Sequence, residues 1–144
     1  MGGRPYQAVK VGAHKIGKAC LSDEVEARPF ERFITITYDS RLEVYESKDA
    51  EAYAKFIDST SPRGATDFKM VFDWLKKFIL ENGINISDLV IVFFTDGCDT
   101  TNSKGDVAES LADLQNMSTE FKNSFKTRFL SIGFSQNHDA VFMN

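Results

Sequence analysis

Residues 90–103, VIVFFTDGCDTTNS, join an apolar run to a polar loop. The run 89–94 contains only apolar residues, which is typical of a parallel strand covered on both faces. Asp96 follows where such a strand would reach the surface. Ligands of open α/β sheets bind outside the carboxyl ends of the strands. The position therefore indicates a binding role for the Asp96 carboxylate, although Asp96-Gly97 is equally compatible with a simple turn.

Helical and strand patterns alternate around this run. The predicted elements are helix 5–21, strands 33–38 and 42–45, helix 50–58, helix 67–82, strand 89–94, a helix carrying Val107 to Phe121, and strand 128–132. Gly12 and Gly17 weaken the first helix by roughly 1 kcal/mol each, which suggests close packing against a sheet. The order predicts an α/β three-layer sandwich with a doubly wound, mainly parallel sheet and one antiparallel edge strand.

Composition narrows the functional class. The 144 residues suit a single domain, 1–144, and 13 Phe with 42% hydrophobic residues favour a packed core. A net charge of −4 gives no electrostatic footprint for nucleic acid or an anionic membrane. The apolar runs are shorter than the ~20 residues of a membrane span, and the first residues lack a signal-peptide core. Cys20 and Cys98 are far apart without metal-type spacing, so we expect reduced thiols and a cytoplasmic location.

A second loop is predicted to reach the same edge of the sheet as Asp96. Gly64-Ala65-Thr66-Asp67 precedes the 67–82 helix, and crossover helices start near the carboxyl ends of strands. A Thr66 hydroxyl and an Asp96 carboxylate are hard oxygen ligands, which suit Mg²⁺, Mn²⁺ or Ca²⁺. The alternative is that Thr66 only caps a helix beginning at Asp67.

These loops resemble those of von Willebrand factor A (VWA) domains, which carry a metal-ion-dependent adhesion site. That family uses Asp-x-Ser-x-Ser, a Thr often set in Gly-Gly-Thr, and an Asp usually followed by Gly. Thr66 matches the second motif with Ala65 replacing one Gly, and Asp96-Gly97 matches the third. The order of elements and the closing FLSIGFSQNHDA segment extend the resemblance over nearly the whole chain. It implies a Rossmann-like fold and a protein-binding module without catalysis, in which a metal held by Thr66 and Asp96 bridges an acidic residue of the partner.

The chain also departs from the VWA pattern. It has no Asp-x-Ser-x-Ser, and Met1 aligns just after where that motif would end. We therefore expect residues 1–144 to lack the family's first strand and its last helix and strand. Two side-chain ligands are few for a cation that takes about six oxygens, so metal binding should be weak or absent. Strand edges left exposed by a missing central strand would favour self-association or addition of a partner strand.

Two other functions remain open. The first is a doubly wound metal-dependent hydrolase using Asp96, which would need a second acid or a phosphate loop. The second is a metal-free scaffold VWA domain. His14 and His138 have no evident Ser or Cys partner, and no Gly-rich phosphate loop is present.

Overall fold

The computed structural model describes residues 3–22, 30–62, 65–95, 100, 104–120 and 126–133. The chain divides into two compact units, Met1–Gly64 and Ala65–Asn144, which are described separately. The expected single domain over 1–144 stays a prediction.

The first unit contains two helices and an antiparallel hairpin. Its elements are α1 (Gly3–Leu21), β1 (Phe33–Tyr38), β2 (Leu42–Ser47) and α2 (Ala50–Ser59). The hairpin pairs Phe33 with Ser47 and Tyr38 with Leu42. Asp49 starts α2 because its carboxylate accepts a 2.7 Å hydrogen bond from the Ala52 N–H. The antiparallel pairing of β1 with β2 confirms the predicted hairpin, and β2 is two residues longer than expected.

Helices α1 and α2 approach closely at Gly17. A Cβ at this position would lie 2.2 Å from Cε1 of Tyr53. The Tyr53 hydroxyl donates a 2.9 Å hydrogen bond to the carbonyl of Ala13, and its ring meets Phe33 edge-on at 5.1 Å. Ala13, Leu21, Tyr53 and Ile57 form the buried core of this unit. Gly17 therefore packs closely against helix α2. The sequence predicted that its partner would be a sheet, and that prediction is wrong for Gly17.

The second unit contains a parallel pair of strands and two long helices. Its elements are α3 (Phe68–Asn82), a 3₁₀ turn (Gly83–Asn85), β3 (Asp88–Thr95), α4 (Lys104–Glu120) and β4 (Lys126–Gly133). The strands run from the pair Asp88 and Lys126 to the pair Thr95 and Gly133. The buried face of α3 consists of Phe68, Val71, Phe72, Leu75 and Ile79.

Aromatic contacts join α3 to one face of this sheet. The Phe93 ring meets Phe68 edge-on at 5.3 Å, and its centroid lies 5.7 Å from that of Phe72. Phe72 also stacks on Phe129 of β4 at 6.4 Å. Because side chains alternate along a strand, Ile91 and Phe93 share the face that α3 covers.

Polar contacts attach α4 to α3. Ser110 is only 5% exposed, and its hydroxyl donates a 2.9 Å hydrogen bond to Asp73. Lys76 forms an ion pair with Asp113. Partial burial raises the pKa of Asp73, but hydrogen bonds from Lys69 and Ser110 outweigh it, so this pKa lies below its ordinary value. The anionic carboxylate of Asp73 in α3 therefore accepts hydrogen bonds from Lys69 in α3 and from Ser110 in α4.

The class of the fold agrees with the sequence prediction at the coarser level. The chain is mixed α/β, with the expected parallel pair and the expected antiparallel pair. The four strands form two two-stranded sheets within the described residues, so the single doubly wound sheet of a three-layer sandwich is not confirmed. Among the residues that the structure describes, none of the helices combines the length and the apolar character needed to cross a bilayer.

Candidate functional site

The loop before α3 presents Thr66 next to the residue that starts the helix. The carboxylate of Asp67 accepts a 3.3 Å hydrogen bond from the Met70 N–H, and its backbone is extended, with φ −118°. Asp67 is therefore the N-cap, and the helix begins at Phe68, one residue later than predicted. The alternative that Thr66 caps this helix is wrong, so capping does not account for the Thr66 side chain.

Thr66 is joined to the loop that follows β3. The Thr66 N–H donates a 2.7 Å hydrogen bond to Oγ1 of Thr100, whose own N–H donates to the Thr66 carbonyl at 2.9 Å. The Thr100 hydroxyl lies 3.3 Å from the same carbonyl and can donate to it. The two loops, 34 positions apart in sequence, thus meet as the sequence predicted. Their contact uses the backbone of Thr66 and leaves its half-buried hydroxyl uninvolved.

The other predicted ligand, Asp96, lies outside the described residues, as do Gly97 and Cys98. Its neighbour Thr95 ends β3 and is 1% exposed. Four residues, 96–99, separate this buried strand end from Thr100. The segment that carries Asp96 therefore begins at the carboxyl end of β3 and ends at a residue bonded to Thr66.

The chemistry of this arrangement fits a hard cation by ligand type. A hydroxyl and a carboxylate supply neutral and anionic oxygen, which Mg²⁺, Mn²⁺ and Ca²⁺ prefer. The number of ligands is small against the about six oxygens such ions take. In the described part of the chain, no three His, Cys, Asp or Glu residues are grouped where they could share a metal ion.

Thr100 lies in the polar run 100–103, which the sequence indicates as a solvated loop at the edge of the sheet that a partner would contact. Its side chain accepts from one backbone group of Thr66 and can donate to another, which a two-sided hydroxyl allows. The crossover geometry placed this loop and the Thr66 loop at one edge of the sheet, but it did not indicate that Thr100 would be the residue that joins them.

Of the two histidines and two cysteines, the structure describes His14 and Cys20, both in the first unit. His14 of α1 lies with Nε2 2.8 Å from a carboxylate oxygen of Asp58 in α2, so it belongs to helix packing in the first unit. Cys20 is a half-buried free thiol whose pKa is raised by burial. Cys98 and His138 lie outside the described residues.

No known protein family matches the chain, and neither a curated protein nor a solved structure is significantly similar to it. The residues of this chain and the motif resemblance therefore carry the functional proposal.

Proposed function

We propose that this chain is a protein-binding module of VWA type, in which a divalent metal ion beyond the carboxyl end of β3 bridges to a carboxylate of a partner protein. Thr66 would supply the hydroxyl ligand and Asp96 the carboxylate ligand. The observation that supports this most is the pair of hydrogen bonds between Thr66 and Thr100, which brings the two motif-bearing loops to one place. In this proposal the chain binds its partner and catalyses no reaction.

The role of each residue follows from the hydrogen bonds that its atoms already form. Asp67 caps α3 through its own carboxylate, and Thr100 holds the Thr66 backbone. The Thr66 hydroxyl is involved in neither contact, so it can serve as a ligand without breaking them. Thr100 is a positioning residue, because it fixes the loop while its hydroxyl is used by the backbone of Thr66. The metal ion, when bound, would supply the positive charge that an acidic partner residue requires.

The ligand count sets the expected affinity. Two side-chain oxygens leave most positions around the ion to water, so the dissociation constant for Mg²⁺ should be millimolar or weaker, in the range of low-affinity oxygen sites. Mg²⁺ titration followed by NMR tests this through the amide signals of Thr66 and Thr100. We expect both to shift at millimolar Mg²⁺ and to stay unshifted in Asp96→Ala.

Substitutions at Thr66 distinguish the contribution of its hydroxyl from the contribution of its side-chain shape. Thr66→Val keeps the shape and removes the oxygen, so the shift of the Thr100 amide should be lost. Thr66→Ser retains a hydroxyl and should keep it. Thr100→Val should weaken Mg²⁺ binding while the Thr66 hydroxyl is still present.

Other outcomes of the Mg²⁺ titration, and one activity assay, distinguish this proposal from the other functions. Micromolar binding abolished by Asp96→Ala would show that the count of two ligands is wrong. An unshifted Thr66 amide throughout the titration would refute the metal-bridged module and favour a metal-free scaffold. Turnover of a phosphate monoester that disappears in Asp96→Ala would favour the hydrolase.

A further inference from the structure

Three polar contacts join the segment that contains α3 to the segment that contains α4. Both segments belong to the second unit, and the partners in each contact are 34 or 37 positions apart. The pairs, in order along the chain, are Thr66 with Thr100, Asp73 with Ser110, and Lys76 with Asp113. Because the partners advance in the same direction along both segments, α3 and α4 run parallel where these contacts form. The contact between Thr66 and Thr100 is therefore the first of a series that continues along the two helices.

The contact between Asp73 and Ser110 is the stronger of the two that lie between the helices. The Ser110 hydroxyl donates to Oδ1 of Asp73 at 2.9 Å, and Ser110 is 5% exposed. A hydrogen bond to an ionised acceptor is stronger than a neutral one, and its loss would leave the buried hydroxyl unsatisfied. Lys76 and Asp113 expose 38% and 39% of their side chains, so solvent weakens their ion pair. Among these contacts, the attachment of α4 to α3 therefore depends more on Ser110 than on Asp113.

Short stretches of chain connect these helix contacts to the candidate metal site. Helix α4 begins at Lys104, four positions after Thr100. Helix α3 begins at Phe68, two positions after Thr66. A displacement of α4 relative to α3 would therefore be passed to Thr100 and would strain its bonds to Thr66. Those bonds bring together the loops that carry the two proposed ligands.

We propose that Ser110 positions the candidate metal site, because its hydroxyl holds α4 against α3 and thereby keeps Thr100 bonded to Thr66. Ser110 is a positioning residue, since it acts through Thr100 and is not itself a ligand. The inference rests on the proposed function, in which Thr66 and Asp96 bind the ion. It adds a buried residue, six positions beyond the start of α4, on which that site depends.

Amide hydrogen exchange measures the joint between the two loops, because the N–H groups of Thr66 and Thr100 donate hydrogen bonds that form it. Ser110→Ala should speed exchange of both amides about tenfold or more, the factor expected when a hydrogen bond to a charged group is lost. The matched control is Ser87→Ala. Ser87 is exposed, and its backbone carbonyl accepts from the Lys126 N–H, so losing its hydroxyl should leave both rates unchanged.

A second control separates positioning from overall stability. Val71 is 5% exposed on the buried face of α3 and takes part in none of the three polar contacts. Val71→Ala should lower the free energy of unfolding, because it removes buried methyl groups. Loop amides exchange through local openings, so the rates of Thr66 and Thr100 should stay unchanged in this variant. Equal acceleration in Val71→Ala and Ser110→Ala would overturn the positioning role.

Substitutions at Asp73 test whether Ser110 acts through this carboxylate. Asp73→Ala removes the acceptor, so adding Ser110→Ala to it should cause no further acceleration of exchange. Asp73→Asn keeps the shape and a side-chain oxygen that can accept from Ser110, so it should speed exchange less than Asp73→Ala does. Additive effects of the two alanine substitutions would overturn the assignment to this contact.

Mg²⁺ titration of the same variants connects the contact to the metal site. Ser110→Ala retains Thr66 and Asp96 but should raise the dissociation constant for Mg²⁺ several fold, as read from the Thr100 amide signal. Faster exchange with an unchanged dissociation constant would overturn the positioning role, and so would exchange no faster than in Ser87→Ala. If Mg²⁺ shifts neither loop amide of the unmodified chain, the proposed function fails, whereas the exchange rates still decide whether Ser110 holds the two loops together.

Discussion

The contact between α1 and α2 gives the sharpest test of packing in the first unit. Replacing Gly17 with Ala would place a methyl group 2.2 Å from Cε1 and 2.3 Å from Cδ1 of Tyr53. These are ring atoms, and Tyr53 is 4% exposed, so the ring has little room to turn away. Its hydroxyl is also bonded to Ala13, one turn before Gly17 on α1. The helices must therefore separate, or the Tyr53 hydrogen bond must break.

The size of the effect follows from opposing contributions. Ala in place of Gly favours a helix interior by about 1 kcal/mol. Overpacking a filled site costs about 1–3 kcal/mol. Loss of the bond from Tyr53 to the Ala13 carbonyl costs about 0.5–1.5 kcal/mol more. We expect Gly17→Ala to lower the free energy of unfolding by about 2 kcal/mol, because the steric contribution exceeds the gain in helix propensity.

Urea unfolding followed by far-UV circular dichroism measures this change. Gly12→Ala is the matched control, since it gains the same propensity on the same helix and should be neutral or stabilising by up to about 1 kcal/mol. In a Tyr53→Ala background, Gly17→Ala should no longer destabilise, because the ring atoms that it strikes are gone. A Gly17→Ala chain as stable as the Gly12→Ala chain would refute the reasoning.

Three further substitutions test buried hydroxyls. Burial, and to a lesser extent the nearby Cys20, raises the pKa of Tyr53 to about 12. Its stabilising contribution is therefore complete below pH 10 and is lost as pH rises toward 12, by about 1.4 kcal/mol at pH 11. Tyr53→Phe should remove this loss between pH 9 and 11 in urea unfolding, and an unchanged pH dependence would contradict the assignment. Ser47 and Thr35 have buried hydroxyl oxygens without a hydrogen-bond partner in the described residues. Ser47→Ala and Thr35→Val should each stabilise the chain by about 1–3 kcal/mol, whereas a loss of stability in thermal melts would show that these hydroxyls are bonded.

The helices and strands were predictable because their signals are local. The spacing of Phe68, Phe72 and Ile79 marks one buried face of a helix, and all of them are buried in α3. The hairpin was predictable because two β-rich runs are separated by a short turn, in which the N–H of Arg41 donates to the Asp39 carboxylate. Within the described residues, the predicted and observed bounds of these elements differ by a few positions at their ends. Asp67 is an example, since Thr66 and Asp67 are both good capping residues by type.

Membership of a sheet was not predictable from such signals. The run 33–38 is equally suited to a central strand and to one strand of a separate hairpin, because propensity reports the strand and not its neighbours. The prediction of one sheet came from the alternation of helices and strands along the chain, and two sheets are present within the described residues. The parallel pairing of β3 with β4 was easier to predict, because strands separated by a helix pair in parallel.

The candidate site was predictable in the same partial way. The crossover rule placed the Thr66 loop and the loop after β3 together, and the bonds between Thr66 and Thr100 confirm that meeting. It gave no means of choosing which side chain would join them, because hydrogen bonds between distant loops depend on tertiary geometry. The proposed ligand role of Asp96 stays a prediction, since that residue lies outside the described part.

The apolar run 89–94 also bears on the expectation of self-association or strand addition that the sequence gives. A strand with no polar residue from 89 to 94 suits a position with neighbours on both edges and cover on both faces. In the structure Leu89 to Val92 remain half-buried, and β4 beside them leaves Leu130 and Ile132 exposed by 51% and 37%. Exposed apolar surface costs about 25 cal/mol per Å², so removing it from water stabilises whatever strand arrangement covers it. The composition of β3 therefore matches a strand with neighbours on both edges better than it matches an edge strand.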